Sequence, residues 1–131
     1  MTSEVIAALP EKLRAGQKAF DATGGIHAAG IFSIDGELLR LREDVGRHNA
    51  VDKVLGSFVR ERVSIENHIL VVSSRTSFEI VQKAIVARIP ILAAVGAPSS
   101  LAIELAREFN VTLLGFVRDG RFNAYAGFDR V

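Results

Sequence analysis

Twelve consecutive residues, Arg42 to Lys53, hold the densest set of reactive side chains in the sequence. Seven of the twelve are ionisable, and apolar runs flank them on both sides. Upstream, Ile31 to Leu41 reads as strand. Downstream, Val51, Val54, Leu55, Phe58 and Val59 recur at helical spacing. The charged block therefore lies where a strand gives way to a helix, with Gly46 as pivot, and main-chain N–H groups at a helix start suit an anion. His48 and Asp52 are four apart and share a helical face, as do Asn49 and Lys53. An imidazole beside a carboxylate is the material of acid–base catalysis, although no nucleophile or metal set completes it. The plain alternative is a solvated, capped helix start.

Three other segments could grip an anion: Ser73-Ser74-Arg75-Thr76, Gly96-Ala97-Pro98-Ser99-Ser100 and Arg118-Asp119-Gly120-Arg121. Two are hydroxyl-bearing loops that run into expected helix starts and suit phosphate oxygens. The third carries two guanidiniums, which can hold phosphate or a carbonyl edge in bidentate fashion. Each alone is weak, since Ser-Ser before a helix is ordinarily a cap and arginines are common in hairpin turns. A fourth segment, Thr23 to Gly30, contains His27. The zinc deaminase signature pairs H-x-E with a later P-C-x-x-C. Here Ala28-Ala29 follows His27 and no thiolate exists, so zinc hydrolysis is rejected and no metal ligands are assigned.

These segments need elements to position them. Thr2 to Phe20 reads as helix, with Pro10 in a first turn or at a break and only a weak stripe from Leu9, Leu13, Ala19 and Phe20. Thr23-Gly24-Gly25 ends it. Ile26 to Ile34 and Glu37 to Leu41 read as strands joined by a two-residue Asp35-Gly36 hairpin. After a helix over about Arg47 to Arg62 come a strand Ile69 to Val72 and a helix to Arg88 opened by the capping box Thr76-x-x-Glu79. A strand Ile91 to Val95, a helix from Pro98-Ser99-Ser100 to near Asn110, and strands Val111 to Val117 and Phe122 to Ala126 complete the order. The continuous apolar runs are those of strands covered on both faces. Strands alternating with helices call for a parallel centre, here with antiparallel edges: one α/β domain over residues 1–131, a three-layer αβα sandwich with a mixed sheet. In such a sheet ligands bind beyond the carboxyl ends of the parallel strands, where the three anion-gripping loops belong. No G-x-G-x-x-G marks a dinucleotide fold.

Composition narrows the class. The 131 residues carry a net charge of +1, which gives no electrostatic case for nucleic acid. With no cysteine, the sequence holds no disulfide, thiolate metal site or thiol nucleophile. No long apolar run or signal pattern is visible, so the protein reads as cytoplasmic and without a membrane partner.

Five blocks carry a resemblance. They are Thr23 to Ala29, Arg42 to Lys53, Ser77 to Ala84, Ala97 to Ala102 and Gly115 to Arg118, and in this order they resemble the C-terminal core domain of the formate dehydrogenase accessory sulfurtransferases, the FdhD/NarQ family. The resemblance implies a cytidine-deaminase-like fold whose zinc motif is lost. It implies a homodimer that takes sulfur from a cysteine desulfurase and passes it to the molybdenum or tungsten bis-pterin guanine dinucleotide cofactor of formate dehydrogenase. Matched to the family's nucleotide site, the cofactor-binding candidates are Phe116, Val117, Arg118, Asp119, Gly120 and Arg121, followed by His27, Arg47 and His48. Full-length members carry an N-terminal domain and a persulfide-forming Cys-x-x-Cys, both missing here, so an excised domain or a shortened homologue is expected, with no catalytic residue of its own. The alternative is a nucleotide-binding or dimerisation module without catalytic activity.

Overall fold

The computed structural model describes residues 2–17 and 25–131. Its elements run α1 (Ser3–Gly16), β1 (His27–Ser33), β2 (Leu38–Asp44), α2 (Arg47–Glu61), β3 (His68–Val72), α3 (Phe78–Val86), β4 (Ile91–Ala94), α4 (Ser100–Glu108), β5 (Thr112–Arg118) and β6 (Arg121–Ala126), ending in a 3-10 turn at Phe128–Arg130. The expected element order is the observed one. The expected continuation of the first helix through Ala19 and Phe20, and the Thr23-Gly24 break, fall outside the described residues.

The strands form one mixed sheet in the order β2-β1-β3-β4-β5-β6. β3, β4 and β5 are parallel, while β1 and β2 on one flank and β6 on the other are antiparallel. Side chains alternate across a strand, so the central strands feed two cores. Leu70, Leu92 and Leu113 face α2, α3 and α4, packing with Val54, Ile80 and Ala102. Ile69, Val71 and Leu114 face the other way, onto Ile6, Leu9 and Leu13 of α1.

The N-terminal helix corrects one expectation. Its stripe is not weak: Ile6, Leu9 and Leu13, at 0–1% exposure, cover this chain's own sheet. Burying each such side chain contributes about 1.5–3 kcal/mol. Pro10 lies inside the unbroken helix. Gly30 on β1 lets it settle close, because a Cβ there would come within 2.8 Å of a Leu13 methyl.

Three local readings also shift. The β1–β2 loop spans four residues, Ile34 to Glu37, with Ser33 N–H bonded to Glu37 C=O and Gly36 at φ +89°, rather than a two-residue turn. β2 runs on to Asp44, so the first part of the charged block is strand. The α3 cap is Ser77, whose hydroxyl accepts from Ile80 N–H, while Thr76 is buried in a bridge to Pro98.

Candidate functional site

The loops after β3, β4 and β5 meet at the carboxyl edge of the parallel strands and are laced together by main-chain hydrogen bonds. Thr76 N–H donates to Ala97 C=O (3.1 Å), Ser99 N–H to Thr76 C=O (3.0 Å), Gly96 N–H to Ser74 C=O (3.2 Å) and Phe116 N–H to Gly96 C=O (3.1 Å). Backbone groups that would otherwise be orphaned are paired between loops, which makes this edge a rigid shelf.

The two helix starts on the shelf differ. α4 has no acidic residue in its first turn and is capped by Ser99. α3 carries Glu79, whose carboxyl is held below its ordinary range by its own main-chain N–H, with smaller help from Ser77, His48 and Arg47. The start of α3 is thus occupied by its own anion, so of the two helix starts expected to hold phosphate, α4 is the one left without an acid.

Beyond β5 the chain turns through Asp119 and Gly120, both at positive φ (52° and 73°), between the paired Arg118 and Arg121. A two-residue hairpin with both central residues left-handed is the type I′ arrangement that Asp-Gly favours. Phe116, at φ +52°, sits in an irregularity of the β5–β6 register. A bulky aromatic there costs about 1–3 kcal/mol, and such strain clusters at functional sites. Its ring lies 5.8 Å from the Arg118 guanidinium. Val117, named as a binding residue from the sequence, is 0% exposed in the core beneath α1, so only its main chain can serve a ligand.

Arg118 stands between two hollows. On one side it joins Arg121, Phe116, Phe122 and Asn123 around a volume of about 330 Å³. On the other, Arg118 and Asp119 open onto a cavity of about 620 Å³ between the hairpin and α1, a volume within the usual range for ligand pockets. Pro10, Leu13, Ala15 and Val95 make its apolar walls. Glu11, Arg14, Gln17 and Ser73 add polar groups. Ser73 belongs to a loop singled out from the sequence. Gln17 was missed, because nothing in the local pattern connects the end of α1 with the start of β1.

The charged block is largely spent on partners within the fold. Asp52 pairs with Lys83 at 2.5 Å, and His48 Nε2 meets Ser77 Oγ at 2.8 Å, which overturns the His48–Asp52 acid–base pair suggested by spacing. Lys53 and Gly46 N–H converge on Asp44 at 2.7 and 2.9 Å. The Lys53 hydrogen bond is the main reason that the Asp44 carboxyl is lowered from 3.8 to about 2, with Gly46 N–H next and desolvation opposing. Arg47 buries Nε without a partner. Alternation along β1 turns His27 to the α2–α4 face, opposite Ala28. His27, Arg47 and His48 thus share the edge with the hairpin but belong to the other face, and the nine sequence candidates divide into two groups.

Guanidiniums, a strained aromatic and an apolar cavity with polar posts at one shelf suit a ligand with a ring and phosphates. The known relatives agree on a family. A sequence model of the FdhD/NarQ family matches residues 1–131. A protein named sulfur carrier protein FdhD in Nocardia farcinica is 57% identical over 132 residues, which span 100% of this chain and 47% of that protein. The protein of the same name in Streptomyces coelicolor is 55% identical, over 100% of this chain and 47% of its own length. The crystal structure of a formate dehydrogenase accessory protein from Desulfotalea psychrophila superposes with a TM-score of 0.90 at 32% identity, covering 98% of this chain and 55% of that one. This chain therefore spans about half the length of the curated relatives it matches.

Proposed function

Because the chain belongs to the FdhD/NarQ family, we propose that it acts as the cofactor-gripping half of a sulfur carrier serving formate dehydrogenase. Its cargo is the molybdenum or tungsten bis-pterin guanine dinucleotide, held by a guanine nucleotide end while sulfur is delivered. The observation that carries this reading is the Arg118-Asp119-Gly120-Arg121 hairpin, standing at the carboxyl edge of the sheet between two hollows. Arg118 and Arg121 supply charge-assisted hydrogen bonds to phosphate oxygens. The Asp119 carboxylate can accept from guanine N1–H and the 2-amino group together, whereas adenine places an acceptor where guanine has a donor. The scaffold is read as deaminase-like with its zinc motif lost, and the working assembly as a homodimer.

A persulfide needs a thiol, and these 131 residues contain no cysteine. The sulfur-bearing group is therefore supplied from outside them, with a cysteine desulfurase as donor. The contribution of this chain is to bind and orient the cargo. Calorimetry with GDP and ADP tests the reading. GDP should bind more tightly than ADP, and Arg118→Ala should weaken GDP by about 1.5–3 kcal/mol, as for a hydrogen bond to a charged group. Equal affinity for the two nucleotides, or no loss in the variant, would remove the hairpin from the account.

A further inference from the structure

Alternation along β5 breaks just before the arginine hairpin. Leu114 and Val117, three residues apart, are both 0% exposed in the core beneath α1. On a regular strand Leu114 would share its face with Phe116 and Arg118, and Val117 would point the other way. The register shows why they exchange. Gly115 pairs with Asn123 and Arg118 with Arg121, so Phe116 and Val117 stand opposite Phe122 alone. This is a β-bulge, and one extra residue moves each later side chain to the opposite face. It buries Val117 and leaves Arg118 exposed at the rim, lining a hollow on either side.

A bulge whose first residue is left-handed ordinarily has glycine there. Here that residue is Phe116, at φ +52°, and a strained backbone persists only where its surroundings fix it. Two contacts do so. Phe116 N–H donates to Gly96 C=O, on the loop after β4, at 3.1 Å. Gly115 lets that loop approach, since a Cβ there would lie 2.9 Å from Pro98 Cδ and from the Tyr125 ring, and 3.3 Å from the Gly96 oxygen. Gly96 in turn has no room for a Cβ, which would fall 3.0 Å from the Arg75 main-chain nitrogen. The loops after β3, β4 and β5 are thus stacked through two glycines, and the stack ends on the bulge. We propose that Phe116 is the positioning residue for Arg118: its main chain, held left-handed by Gly96, sets the strand register that turns the guanidinium out to the ligand. The inference rests on the hairpin reading above for the claim that Arg118 meets phosphate. It concerns backbone rather than ring, so substitutions at Phe116 should sort by their tolerance of positive φ and not by size.

The test is calorimetry with pyrophosphate and GDP on Phe116→Gly, Phe116→Val and Gly115→Ala, each with and without Arg118→Ala, with melting curves to show that each variant folds. Glycine takes positive φ freely, so Phe116→Gly should bind both ligands within about threefold of wild type. Valine is a poor left-handed residue, and Gly115→Ala pushes against the Gly96 contact. Each of these two should lose about tenfold in affinity, as for a hydrogen bond to a charged group. In the Arg118→Ala background they should cost nothing further, because changes that act through one contact do not add. If Phe116→Val does not fold, Gly115→Ala set against Phe116→Gly decides. A loss in Phe116→Gly as large as in Arg118→Ala would show that the ring itself serves the ligand. Wild-type binding by Phe116→Val and Gly115→Ala would show the register to be immaterial. Either result, or equal losses with and without Arg118, overturns the inference and leaves the hairpin reading standing. Wild-type binding by Arg118→Ala overturns both.

Discussion

His48 Nε2 lies 2.8 Å from Ser77 Oγ, and that hydroxyl also accepts from Ile80 N–H at 3.3 Å. One serine therefore caps α3 and ties it to the first turn of α2. Ser99 caps α4 through Ala102 N–H, and no histidine is among its hydrogen-bond partners. Loss of a serine cap costs about 0.5–2 kcal/mol. Ser77→Ala should therefore destabilise more than Ser99→Ala, by roughly the 0.5–1.5 kcal/mol of one further hydrogen bond. Urea unfolding of both variants and of His48→Ala checks this, and equal losses for the two serines would show the imidazole contact to be worth nothing.

Acid should probe the start of α2. The Asp44 carboxyl, lowered from 3.8 to about 2 chiefly by Lys53, stabilises the fold fully above about pH 4. That contribution should fade as pH falls from about 4 through about 2, where the folded-state carboxyl takes up its proton. Asp44→Asn should show a flatter fall in thermal midpoint over that window. An unchanged pH profile in the variant would discharge Asp44 from the acid response.

The seat of α1 should be sensitive to volume. Leu13 is 1% exposed and packs over Gly30. Leu13→Ala should cost about 2–5 kcal/mol, measured by chemical denaturation. The same variant enlarges the cavity that Leu13 lines beside Asp119, so GDP affinity should drop alongside stability.

Asp119 and Arg118 should fail differently. Asp119→Ala should erode the preference for GDP over ADP and leave pyrophosphate binding in place, because its proposed partner is the base. Arg118→Ala should weaken GDP and pyrophosphate together. A calorimetric series in which Asp119→Ala keeps full discrimination would remove Asp119 from base reading.

Asp52 should prove dispensable for any activity. Its partner is Lys83 at 2.5 Å, with the Asp52 side chain 57% exposed, and exposed pairs of this kind are worth about 0.2–1 kcal/mol. Asp52→Asn should shift the unfolding midpoint slightly and leave nucleotide affinity unchanged.

The order of elements was legible in the sequence because it depends on short-range pattern. Runs such as Ile69 to Val72 and Ile91 to Ala94 declare strands covered on both faces, and alternation with helices then requires a parallel centre. Asp119-Gly120 declares its own turn, since left-handed backbone at two adjacent positions suits few residues. From these the carboxyl edge and its three loops followed. Partner choice did not follow. Spacing puts Asp52 under His48, but packing of α2 beside α3 brings Lys83 to the carboxylate and Ser77 to the imidazole. Likewise Thr76-x-x-Glu79 has the letters of a capping box, yet bridging to Pro98 draws Thr76 into the core and passes the cap to Ser77. Val117 shares its chain segment with Arg118 but is turned under α1. Gln17 meets the Ile26 carbonyl through the close of α1 on the sheet, and no local signal announces it. Hydrophobic periodicity specifies which face each element buries. Which polar groups then meet is settled by how those faces dock, across separations that no local pattern encodes.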